Sequence, residues 1–225
     1  MSPSTELLRV EFLGVTVRHE EVPLQRADLA LHFADIGERH GLTRMDYHDA
    51  GAGGATLSGP EGAELALRPG QIGACGVTNL GYREGMERVV GAVAESVERF
   101  GVGRMWAEDI TLVAVWDLED PETARALLTD DILRVDDERL EMLGGDEVSL
   151  GLRIWKRAGE SSLECAIEPM HAEPAKLYLR LMLTDGEPLA DIAALTELVD
   201  GVHEYLTGPL RSFVLARVGD PPRSQ

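Results

Sequence analysis

Residues 71–90 read QIGACGVTNLGYREGMERVV. A strand-like run passes through glycines into a helix, the order in which a phosphate-binding loop is built. The glycines fall in the wrong places for one. Gly73 and Gly76 lie inside the strand, and the stretch contains neither GxGxxG nor GxxxxGK[ST]. The junction also occurs twice. A shift of 105 positions carries Val90 onto Leu195, Val93 onto Leu198, Val97 onto Val202 and Phe100 onto Tyr205. The same shift carries Gly81 onto Gly186 and the strand 72–78 onto 177–183. In the second copy, LMLTDGEPLADI, Asp185 and Glu187 flank the turn, and carboxylates there repel a phosphate. No nucleotide is therefore expected. The doubled strand, glycine turn and helix instead predict two related halves.

Outward from this junction the elements follow from periodicity. Residues 7–19 alternate as a strand. Residues 24–40 place Leu24, Ala27, Leu31, Ala34 and Ile36 near helical spacing, with Pro23 before them and Gly41 after. Short strands are expected at 43–47, 55–58, 64–68 and 72–78, with turns rich in Gly and Pro between them. Residues 83–100 form the clearest helix, and 106–118 a long strand whose apolar middle, 110–116, predicts cover on both faces. In the second half, 147–157, 162–168 and 176–184 alternate as antiparallel strands with one buried face. A helix is expected over 189–206, a last strand over 212–218 and a frayed tail over 219–225. The fold class is α+β. It comprises halves 1–119 and 120–218, each a mostly antiparallel sheet backed by a long amphipathic helix, sharing one core.

The formal net charge of the 225-residue chain is −19, from 40 acidic and 21 basic residues. Such a surface repels phosphate backbones and anionic lipid, so neither nucleic acid nor membrane is an expected partner. A protein partner or a homo-oligomer is. Only Lys156 and Lys176 are lysines, and the heavy use of Arg and Ala suggests a bacterial source. Cys75 and Cys165 are isolated within apolar runs, which fits small buried hydrophobes in a reducing, cytoplasmic setting. The N-terminus has no basic region followed by an apolar run, and no apolar stretch approaches the ~20 residues of a membrane span.

Three groups of residues are candidates for function. First, Asp46 and His48 share a strand face, where a carboxylate can orient an imidazole as a base. His171, between Glu168 and Glu173, is a second candidate base or metal donor. Their spacing matches no metal motif, and no metal or cofactor is expected. Second, Ile72, Ala74, Gly76 and Thr78 stand where the second half has four leucines. The volume left beside Gly73, Ala74 and Gly76 is either filled by a helix or by Trp106 and Trp116, or remains as a pocket for a small apolar ligand. Third, Arg153, Trp155, Tyr178 and Arg180 share the polar face of the second sheet, with an aromatic and arginine composition suited to an interface. His203 lies near the end of its helix, where a protonated histidine suits the macrodipole.

The segments LLRVEFLGV, ITLVAVWDL and VDGVHEYLTGPLRSF, with His203 and Phe213, resemble a sporadically distributed, uncharacterised family of bacterial proteins. The resemblance implies two α+β halves and brings no activity with it. The first half departs from that pattern by being rich in glycine and poor in aromatic residues.

The leading expectation is a non-catalytic cytosolic interaction or assembly protein. The alternative is an enzyme or carrier holding an apolar ligand beside strand 72–78, with a histidine as general base. A third reading is an acidic decoy for a nucleic-acid-binding protein.

Overall fold

The computed structural model describes residues 8–48, 53–79, 81–118, 124, 126–135, 137–143 and 150–218. The chain is mixed α and β, built on one ten-stranded sheet whose pairings are all antiparallel. In chain order the elements are β1 (Leu8–His19), α1 (Arg26–His40), β2 (Arg44–Tyr47), β3 (Ala55–Ser58), β4 (Glu64–Arg68), β5 (Gln71–Val77), α2 (Tyr82–Arg99) and β6 (Met105–Asp117). There follow α3 (Leu127–Leu133, wound as a π-helix), α4 (Asp137–Glu141), β7 (Leu152–Ala158), β8 (Ser161–Pro169), β9 (Lys176–Thr184), β10 (Pro188–Leu189), α5 (Ile192–Tyr205) and α6 (Arg211–Val218). The strands run β2-β3-β4-β5-β1-β6-β9-β8-β7, and β10 extends the β6 pairing at Trp106 and Met105.

Strand alternation divides the sheet into two faces. Leu13, Val15 and Val17 of β1, Ile110, Leu112, Ala114 and Trp116 of β6, and Leu177, Leu179 and Leu181 of β9 are buried on the helix side. The helices α2 and α5 pack on that side, against β1, β5 and β6; the other is the uncovered face, although Val115 and Ala166 are buried on it. β6 is central, as its apolar middle suggests, and near its end Val115 is buried on the second face as well. Asp109, Thr111 and Val113 sit half-buried on the uncovered face.

The register about the β1–β6 pair follows the 105-residue shift. Leu13 faces Gly76 while Leu112 faces Leu181, and Val15 faces Ala74 while Ala114 faces Leu179. The two substituted positions, 76 to 181 and 74 to 179, are each 105 apart. In this arrangement β3-β4-β5-α2 and β7-β8-β9-α5 occupy matching places on either side of the centre. β6 follows α2 into the centre, and β1 holds the corresponding place on the other side. The strand expected at 212–218 is therefore a helix, α6: its place beside β6 is already filled by the N-terminal strand. The chain reaches α6 through a π-helical turn at Leu206–Leu210.

Four further expectations are corrected. Helix 189–206 begins only at Ile192, because Pro188–Leu189 pair with β6 and the Asp191 side chain caps the helix, accepting from the Ala194 amide at 2.9 Å. The buried stripe of α1 is Leu29, His32, Ile36 and His40, whereas Leu31 is 56% exposed. His203 is not held as a cation. Burial lowers its pKa, and its ring stacks on Tyr82 with centroids 3.7 Å apart. The half expected at 1–119 is also backed by two helices, α1 and α2, rather than one. The tail 219–225 and the start of the strand expected at 147–157 lie outside the described residues.

Tyr82 ties α2 to α5. Its hydroxyl lies 3.1 Å from Asp200 Oδ1 and 3.2 Å from the Val199 carbonyl, and it donates to this acceptor pair. Tyr82→Phe keeps the stacking on His203 and removes only the donor. The expected cost is about 1 kcal/mol, read as a lower urea midpoint with an unchanged slope.

Candidate functional site

On the uncovered face, cross-strand register brings the second-half residues into rows. Trp155 faces Glu164, which faces Met182, and Arg153 faces Ala166, which faces Arg180. Glu164 is the hub. Its carboxylate accepts from Trp155 Nε1 at 3.1 Å and lies 3.5 Å from both Arg153 Nε and an Arg180 guanidinium nitrogen. Arg153 and Arg180 stand on either side of Ala166 in their row, and Ala166 is 2% exposed. The Arg153 guanidinium also sits 5.9 Å from the centre of the Trp155 ring. Tyr178 occupies the next row, opposite Glu168. Arg153, Trp155, Tyr178 and Arg180 thus share one face, and three of them share one carboxylate. Trp155 remains 61% exposed.

Trp155 lies on β7, the last strand of the sheet order. Among the described residues β7 pairs only with β8. Behind it, on the helix side, a groove of about 260 Å³ runs between the strand edge and α5, lined by Lys156, Leu163, Leu198, Val202 and Tyr205 among others. Lys156 Nζ sits 5.2 Å from the centre of the Tyr205 ring. The sequence reading missed this groove. The available signal was β7 itself: LRIWKRA carries three cations and no acid in a strongly acidic chain.

Of the residues proposed for a pocket, Gly73 and Ala74 border one concavity, while Gly76, Trp106 and Trp116 do not border it. Gly73 points to the uncovered face, while Ala74, Gly76 and Trp116 point to the helix side. There Ala74 is 5% and Trp116 1% exposed, and α2 packs on β5. Trp106 is on the uncovered face but sits at its end between Arg18 and Arg104, 5.2 and 5.0 Å from their guanidinium carbons. The space left by small residues appears instead on the uncovered side. A concavity of about 380 Å³ there is bounded by Phe12, Gly14, Thr16, Ala66, Gly73 and Cys75. Burial raises the Cys75 thiol pKa and lifts that of Cys165 to about 11, so both are held as thiols at neutral pH.

The candidate bases are scattered. Asp46 binds Arg44 through both carboxylate oxygens, at 2.8 and 2.9 Å. His48 Nε2 instead lies 2.8 Å from Thr56 Oγ1, so the carboxylate does not orient the imidazole. Thr56 is two strands from Gly73, and His48 does not line the concavity. His171 is exposed on the β8–β9 connection, where Glu173 pairs with Lys176. Asp49 lies outside the described residues. Among the described residues no group of three His, Cys, Asp or Glu side chains is placed to hold a metal ion. No described helix is long and apolar enough to cross a membrane.

No family model matches the sequence. No curated protein matches it either. Among solved structures the chain is similar to the regulatory subunit of aspartate kinase from Thermus flavus, at 11% identity over 88% of this chain and 95% of that one. The TM-score is 0.23, a likeness too slight to bear on fold or function.

Proposed function

We propose that this chain is a non-catalytic cytosolic interaction or assembly protein, made of two related α+β modules fused through one sheet, which binds a protein partner or its own copy at the β7 end of the uncovered face. The observation that carries this reading is Trp155. A large aromatic side chain is 61% exposed on a terminal strand, and Arg153 and Arg180 are anchored beside it by a shared glutamate. Tryptophan and arginine are the side chains that most often dominate binding energy at protein interfaces. The arrangement is also preformed, since Glu164 holds the indole and both guanidinium groups before any partner arrives, which lowers the ordering cost of association.

The module reading is supported by the 105-residue register shift about β1 and β6. The reading as a ligand-binding enzyme has less support: the concavity beside Gly73 is open, and neither His48 nor His171 reaches it.

Trp155→Ala tests the proposal. An exposed side chain contributes little to folding, so stability stays within about 0.5 kcal/mol. Association weakens by at least about tenfold, measured by native mass spectrometry and light scattering on protein purified from its own host. Unchanged copy number and unchanged partner retention in the variant would overturn the proposal.

A further inference from the structure

We propose that the β7 edge takes up an acidic, extended segment of a partner protein, which adds to the sheet as a further strand with carboxylates toward Arg153 and Arg157 and apolar side chains in the groove under α5. This inference rests on the interaction reading above and names the partner's chemistry.

The fold itself marks the place. Counting outward from the central pair, five strands run from β1 to β2, but only four run from β6 to β7. The strand that completes the first side, β2, pairs with β3; no described strand holds the matching place beside β7. The helix layer differs in the same way. In the first half α1 covers the flank of α2, with His32 bonded to Ser96 and its ring edge-on to Phe100 at 5.1 Å. The shift of 105 carries Ser96 to Gly201 and Phe100 to Tyr205, and these line the open groove beside α5.

An added strand presents side chains alternately to the two faces. On the uncovered face it meets Arg153, Trp155 and Arg157, so acidic residues suit those positions. On the helix side it meets Leu163, Leu198, Val202 and Tyr205, so apolar residues suit those. Charge decides against a second β7 as the occupant. Antiparallel self-pairing centred on Trp155 would set Arg153 opposite Arg157, and like charges directly opposite are destabilising. A strand of carboxylates gains from the same cations.

The probe is a fluorescently labelled eight-residue peptide of alternating valine and glutamate, titrated against the full chain by anisotropy, beside its valine–lysine counterpart. The glutamate peptide should bind at least about tenfold more tightly, and high salt should erode that preference. The double variant Arg153→Glu, Arg157→Glu should reverse it. Both arginines are exposed, and the peptide swap on the unaltered protein needs no variant to fold. Binding of the glutamate peptide should slow amide hydrogen exchange in β7. Equal affinity for the two peptides, binding of neither, protection confined to another strand, or self-association through β7 would each overturn the inference. Loss of association in Trp155→Ala combined with indifference to peptide charge would remove the acidic strand alone and leave the interaction reading standing.

Discussion

Replacing Gly85 with alanine destabilises the fold by about 2 kcal/mol, although the same change in an unencumbered helix interior stabilises by roughly 0.5–1 kcal/mol. The sign inverts because of Thr78. A Cβ at position 85 would stand 2.4 Å from Thr78 Cγ2 and 3.0 Å from its Cβ. Thr78 cannot retreat. Its hydroxyl donates to the Val10 carbonyl and its amide donates to the Glu11 carbonyl at 3.0 Å, so both anchor it to β1. Relief requires α2 to lift from β5, which opens space around Ala74 and Val89. Thr78→Ser keeps the hydroxyl and removes the methyl that makes the closest approach. In the double variant Gly85→Ala, Thr78→Ser the penalty should shrink by about 1 kcal/mol relative to the sum of the singles, a coupling energy read from a double-mutant cycle of urea midpoints. Additive behaviour, or a stabilised Gly85→Ala, would show that α2 does not rest on this contact.

The same contact explains one small residue of 71–90: Gly85 lets α2 come close to Thr78, whereas a Cβ at Gly76 would face Ala63 at 3.8 Å and not the helix. The elements of that region were legible because a period-2 run, a glycine and a 3.6-period run stand in order in the sequence and recur there at a fixed shift. The pocket was not legible. Neighbouring strand positions point to opposite faces, so Gly76 and Trp116 could not join Gly73 in the concavity on the uncovered face. Arg153, Trp155, Tyr178 and Arg180 could be placed on one face by alternation alone, but the convergence of Arg153, Trp155 and Arg180 on Glu164 depends on which strands are neighbours. That order was hidden, because β1 and β6 meet across almost 100 residues of chain. The same long-range pairing displaced the strand expected at 212–218. SFVLARV is a short apolar run compatible with either structure, and tertiary context made it helical.

His32 makes stability acid-sensitive in a defined window. It is 2% exposed and lies between α1 and α2. Ser96 donates its hydroxyl proton to the Ala92 carbonyl at 2.7 Å, so at 2.9 Å it must accept from His32, and Nε2 carries the hydrogen of a neutral ring. Burial, reinforced by the Arg99 charge, lowers the pKa from 6.5 to about 4; Glu95 and Asp35 oppose that shift, and His40 adds slightly to it. Above pH 6.5 the ring is neutral in the folded and unfolded chains alike and this residue adds no pH dependence. As pH falls through 6.5 the unfolded chain takes up a proton that the folded chain refuses, and stability drops until the folded ring protonates near pH 4. Between pH 7 and pH 5 the loss through this residue is about 2 kcal/mol, with a ceiling of about 3 kcal/mol at lower pH. Many carboxylates titrate in the same range, so the measurement is a difference. His32→Gln retains an amide donor for Ser96 and removes the titration. Urea midpoints of the parent chain should fall more steeply from pH 7 to pH 5 than those of the variant, by the free energy just given. Parallel profiles would mean that the folded chain accommodates an imidazolium between α1 and α2.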